Sequence, residues 1–156
     1  MDWHGLVEVI HILSASVLFG SGAAIAFFML MAWRSGDVAG FALASKHVVI
    51  ADWLFTTTAV ILQPVSGVTL ALMAGYPLTT PWLLTSYALY VFIGACWVPV
   101  VWIQIKVRRL SQAAADSGEP IPATVHKLMR IWMILGWPAF IALIGIFGLM
   151  VFKPNF

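Results

Sequence analysis

Between Trp53 and Ile105 the chain runs for 53 residues without one Asp, Glu, Lys or Arg. Two further stretches behave the same way: Val9 to Trp33, 25 residues, and Ile131 to Phe152, 22 residues. A helix needs about 20 apolar residues to cross a hydrocarbon core of roughly 30 Å. The long stretch is too long for one crossing, and the turn signal Gly75-Tyr76-Pro77 with Pro81 divides it in two. Four crossings follow, at about 6–33, 48–74, 82–106 and 129–152. Only helices and closed barrels satisfy backbone polar groups in lipid. These stretches are continuously apolar and lack the alternation of barrel strands. The fold class expected is all-α: an integral membrane four-helix bundle forming a single domain over 1–156.

Composition narrows the function classes. With 62% apolar and only 9% charged residues, the chain is unlike a soluble enzyme domain. A formal net charge of +2, scattered along the chain, makes no nucleic-acid footprint, so lipid is the expected surrounding and nucleic acid is not a partner. Cys96 is the single cysteine and forms no metal or haem-attachment motif. The acidic amino end, Asp2, and the length of the first apolar run argue against a cleaved secretory signal, so the first crossing is expected to be retained.

Basic residues set the expected orientation. Arg34 and Lys46 fall between crossings 1 and 2, and Lys106, Arg108, Arg109, Lys127 and Arg130 around the connection between crossings 3 and 4. Positive segments resist translocation, which predicts N-out/C-out topology in a bacterial inner membrane. Trp3, Tyr76, Trp82 and Phe156 suit the outer interface. Leu110 to Ala123, polar and carrying Gly118 and Pro120, reads as a cytoplasmic linker. Pro64, Pro99 and Pro138 lie inside crossings, and each frees a carbonyl that another group must satisfy. Ser14, Ser21 and Gly22, with Ser16, Gly20 and Ala24, give crossing 1 a narrow face for close helix contact.

His11 is the first candidate functional residue. It lies about 8 Å inside crossing 1 at the helical rise, and ionisable groups at such depth default to functional candidates. Neutral imidazole ligates haem iron, copper and zinc; the alternative is a histidine bonded to a serine or carbonyl of the next helix. His4, Glu8 and His11 share one helix face, which invites comparison with a metal site, although the rise separates His4 from His11 by about 10 Å. Glu8 instead suits the orientation of His11 as a hydrogen-bond acceptor. His47 and His126 belong to the opposite side, where they face each other, Asp52, or water. Gln63 is the strongest polar feature in the middle of crossing 2, suited to an interhelical bond or a ligand contact. Met73 and Met150 are conceivable soft ligands or core filling. Tyr87 and Tyr90, with Trp97 and Trp102, line crossing 3 and suit either a flat ring between them or plain aromatic packing.

Val9-Ile10-His11-Ile12-Leu13, Val65-Ser66-Gly67-Val68-Thr69-Leu70, Arg108-Arg109-Leu110 and Val151-Phe152-Lys153-Pro154 are similar to HemJ-type and CopD-like membrane proteins. Over nearly its whole length the chain more closely resembles a bacterial four-helix family, the one numbered 2269 among domains of unknown function. HemJ-type proteins are associated with haem and with protoporphyrinogen oxidation, and CopD-like proteins with copper uptake. The resemblance implies haem ligation by His11 and a supporting role for Lys153. Gly94 to Lys106 lacks the histidine that HemJ-type proteins commonly carry before the Arg-Leu ending, and no catalytic base or nucleophile is identified.

Three readings result. The first is a b-type haem near the outer face on His11, with Glu8, Gln63, Tyr87, Met150 and Lys153 around it, exchanging electrons with a quinone-like or periplasmic partner. The second is copper or another metal held by His4, Glu8 and His11. The third is a cofactor-free accessory subunit whose small-residue face and Trp-rich surface dock onto a larger membrane complex; a homo-oligomer is a further arrangement.

Overall fold

The computed structural model describes residues 2–154. Helix α1 spans Trp3–Ser35, α2 Val38–Ala51, α3 Thr57–Met73, α4 Pro81–Ser117 and α5 Ala123–Phe152; a five-residue π-helical segment, Asp52–Thr56, joins α2 to α3 into one continuous rod. Four rods are therefore long and apolar enough to cross a membrane: α1, Val38–Met73, α4 and α5. No strand occurs among the described residues. Phe156, expected at the outer interface, lies outside them.

Helix ends explain why two sequence boundaries fall elsewhere than expected. The second rod begins ten residues before the expected position 48. Gly36 takes a left-handed conformation at φ 74° and closes α1, and the Asp37 carboxylate accepts from the Ala39 amide at 3.1 Å to open α2. A two-residue link therefore suffices, and Lys46 with His47 stands on helix rather than in a connection. The expected linker at 110–123 is likewise mostly helix. α4 continues to Ser117, and Gly118, at φ 69°, stops it. The continuation is held by Ser111, which donates to Ser45 at 3.3 Å, and by the Gln112 amide, which donates to Asp116 at 2.9 Å one turn on. Only residues 118–122 connect α4 to α5.

The four rods run up, down, up and down. One end of the bundle carries both termini and the turn at 74–80; the other carries the short links and is called the basic end here. The main core sits towards the basic end, where Ile25, Met29, Phe41, Val48, Ile103, Val107, Val125, Leu128, Met129 and Trp132 are buried together. A smaller cluster of Ala71, Trp82 and Leu83 closes the terminal end, with Tyr76, Tyr87, Leu149 and Met150 against it. The outward faces remain apolar, with Phe28, Val91, Ile134 and Phe152 among the exposed large side chains, as lipid requires.

The second rod changes partner along its length. α2 packs chiefly on α4, whereas α3 packs chiefly on α1. The π segment is the place of change. One extra residue per turn there resets which face of the rod looks at which neighbour.

Candidate functional site

Polar side chains gather at several places within and against the apolar interior, three of which bear on function. The first lies between α1 and α3. His11 projects from α1 onto Gly67, so closely that a Cβ added at Gly67 would stand 3.0 Å from His11 Cε1. Ser66 Oγ lies 2.9 Å from His11 Nδ1. Because that hydroxyl spends its proton on the Leu62 carbonyl at 2.6 Å, it can only accept from the imidazole, which places the ring proton on Nδ1 and the lone pair on Nε2. Gln63 Nε2 then donates to His11 Nε2 at 3.2 Å. The Gln63 oxygen accepts in turn from the Ser14 hydroxyl, which also lies 3.0 Å from the His11 carbonyl. The result is a one-way chain from Ser14 through Gln63 and His11 to Ser66 and the backbone. Every polar atom of the half-buried imidazole is satisfied by protein.

His4 and Glu8, named in one alternative as sharing a metal with His11, stand exposed near the start of α1. They meet each other at 3.9 Å, and no group of three His, Cys, Asp or Glu close enough for a metal occurs among the described residues. The helical rise is the reason, since an intact α1 carries His11 away from His4.

Tyr87, Met150 and Lys153 gather at a second place, the terminal end. Tyr87 and Met150 pack on the Trp82 cluster. Lys153 closes α5 in a left-handed conformation, φ 42°, and sets its Nζ 5.2 Å from the centre of the Tyr76 ring and 6.0 Å from that of Trp82, within reach of a cation–π attraction. The Tyr87 hydroxyl is buried without a hydrogen-bond partner. Ala71, one turn beyond Gly67, is the link between this cluster and the His11 group. His11 and Gln63 are thus brought together, and the other candidates form neighbouring groups.

The third group escaped the sequence reading as a site. Asp52 is buried at 4% exposure in the π segment. Its Oδ1 accepts from Trp97 Nε1 at 3.4 Å, and its Oδ2 has no partner. One turn on, Thr56 meets Ser21 of α1 at 3.2 Å. Neither His47 nor His126 reaches this acid: His47 is exposed, and His126 Nδ1 accepts from Trp33 Nε1 at 2.9 Å, tying α5 to α1. A signal was present in α4, where Tyr90, Trp97, Gln104 and Ser111 recur every seven residues, the spacing of one packed helix seam. Three of them bond the second rod, at Val60, Asp52 and Ser45.

A protein-family model described as a predicted integral membrane protein, DUF2269, matches residues 5–154. No curated protein and no solved structure matches the chain.

Proposed function

The chain belongs to this family of predicted integral membrane proteins, DUF2269, and from that premise we propose that it is a small redox protein of the membrane that holds a b-type haem through His11. One observation carries the reading. The Ser66 hydroxyl fixes the Nδ1 proton, the arrangement that leaves Nε2 as the coordinating nitrogen and orients the ring for a metal. Gly67 gives that ring the room it needs. The Gln63 carboxamide rests on Nε2, so ligation requires it to turn aside, and Ser14 already holds its oxygen. A bound haem would supply one-electron transfer at this place. The remaining work falls to the chain: Ser66 orients the ring and Gln63 guards the lone pair.

The terminal end is taken as the outer face of a bacterial inner membrane. Seven of the eight basic residues lie towards the opposite end, Arg34, Lys46, Lys106, Arg108, Arg109, Lys127 and Arg130, and such residues stay cytoplasmic. A quinone-like molecule or a periplasmic redox protein is the partner that suits this position.

The test is an absorption spectrum of the detergent-purified protein before and after dithionite. A Soret band is expected, abolished by His11→Ala and kept or strengthened by Gln63→Leu. A folded, colourless protein overturns the proposal. The Gln63 bond itself favours a second reading, a cofactor-free accessory subunit in which His11 only locks α1 to α3. That reading predicts no porphyrin absorbance, a stability loss in His11→Ala, and co-purification with a larger membrane assembly.

A further inference from the structure

Asp52 is the one acid placed inside the bundle. Asp2, Glu8, Asp37, Asp116 and Glu119 are all exposed at helix ends or connections, whereas Asp52 is buried beside Trp97 with one carboxyl oxygen unpartnered. An ionised carboxylate buried without a counter-charge is costly. Among the described residues the only ion pair is that of His4 with Glu8, so no cation compensates Asp52. An acid in this setting inside a membrane is a functional candidate by default, and π-helical turns recur at functional sites.

From this geometry we propose that Asp52 is a proton-binding site within the membrane, in which Trp97 holds Oδ1 and Oδ2 takes up and releases the proton. Uptake forms one O–H bond on Oδ2 and neutralises the carboxylate; release returns the proton to water. The indole N–H occupies Oδ1 as a donor, which leaves the carboxyl with its C=O end fixed and its O–H end free. A metal cation would need several oxygens, and among the described residues the only hydroxyl beside the carboxyl is that of Thr56, which also meets Ser21 at 3.2 Å; Thr57 donates to the Asp52 backbone carbonyl at 3.1 Å.

Lys46 and His47 are exposed and lie about 8–9 Å from Asp52 at the helical rise. The titratable groups on the surrounding elements leave the acid isolated. On α1 they are His4, Glu8, His11 and Arg34, the nearest being ten residues from Ser21. On α4 the nearest are Cys96, buried, and Tyr90, whose hydroxyl donates to Val60; Lys106, Arg108, Arg109 and Asp116 lie towards the basic end, and α3 carries none.

Infrared spectroscopy of the full chain in phospholipid bilayers tests this site directly. Because every other carboxyl side chain among the described residues is exposed, a protonated-acid C=O band that Asp52→Asn removes reports Asp52. The band is expected in the wild type, shifted in D2O, lost reversibly at high pH, and absent from Asp52→Asn. Trp97→Phe should move it to higher frequency by removing the bond to Oδ1. The proposal is overturned if no acid band is present at neutral pH, or if a band is present that neither shifts in D2O nor disappears on raising the pH, the behaviour of a sealed structural acid.

Discussion

The Tyr90 hydroxyl donates, at 2.5 Å, to the carbonyl of Val60, the one whose usual amide partner four residues on has been replaced by Pro64. A helix interior proline frees a carbonyl, and in lipid that group must find a donor. Tyr90→Phe should therefore destabilise the bundle by about 1–2 kcal/mol. In a Pro64→Ala background, where an amide returns to position 64, the same change should cost measurably less. Unfolding in detergent, read as a double-mutant cycle, checks the coupling; equal costs in both backgrounds would refute it.

Gly67 should not tolerate alanine cheaply. The added methyl would meet His11 Cε1 at 3.0 Å, so the ring must shift by a few tenths of an ångström and stretch its bonds to Ser66 and Gln63. Overpacking of this kind costs about 1–3 kcal/mol. A thermal melt of Gly67→Ala unchanged from wild type would mean the ring is not seated there.

His11 and Gln63 should be energetically coupled. Interhelical hydrogen bonds in membranes average about 0.6 kcal/mol and reach about 1.7. A cycle of His11→Ala and Gln63→Leu should return a coupling within that range, because each single change leaves the other's polar atom unpaired. Purely additive losses would show that the amide does not bond the ring.

Gly36 sits at φ 74° between α1 and α2. Gly36→Val forces a β-branched residue into a left-handed conformation, at a cost of about 1–2 kcal/mol, and loosens the two-residue link. Replacement by Asn, which tolerates that conformation better, should recover part of the loss. If valine and asparagine melt alike, backbone strain is not what the glycine relieves.

Orientation is open to a labelling experiment. Cys96 is buried, so background reaction with a membrane-impermeant maleimide should be low. In intact spheroplasts Thr79→Cys should label from outside, and Ser117→Cys only after permeabilisation. The reverse pattern would invert the proposed topology.

Much of the architecture was legible because lipid imposes a coarse rule. Uncharged length alone located all four rods, and Pro64, Pro99 and Pro138 were placed within them. The rule has no bearing on where a helix ends once it leaves the hydrocarbon. Lys46, His47 and the polar run from Ser111 to Ser117 look like connection to a hydropathy reading, yet each is helical: the Asp37 cap on the Ala39 amide starts one helix early, and the bond from Ser111 to Ser45 of the neighbouring rod holds the other past the hydrocarbon. At the candidate site, His11 and Gln63 were separately visible as polar residues in apolar runs. Their meeting, and the separation of His4 and Glu8 from them, depends on how α1 and α3 face one another. Asp52 was read only as a partner for His47 or His126, when the seven-residue recurrence in α4 already pointed an indole and three polar side chains along one seam.

The π segment holds the rest in alignment by counting. Were Asp52–Thr56 wound as regular α-helix at unchanged length, α3 would turn by about one residue's 100° relative to α2 and swing Gln63, Ser66 and Gly67 out from under the imidazole, though none of them had been altered. The upper half of the molecule thus inherits its angular setting from a backbone irregularity several turns below it. Along the second rod, a one-residue deletion within this irregularity should be absorbed as the turn relaxes to regular helix, whereas one between Thr57 and Leu62 should erase the His11 arrangement while leaving the packing of Phe41, Val48 and Val107 undisturbed.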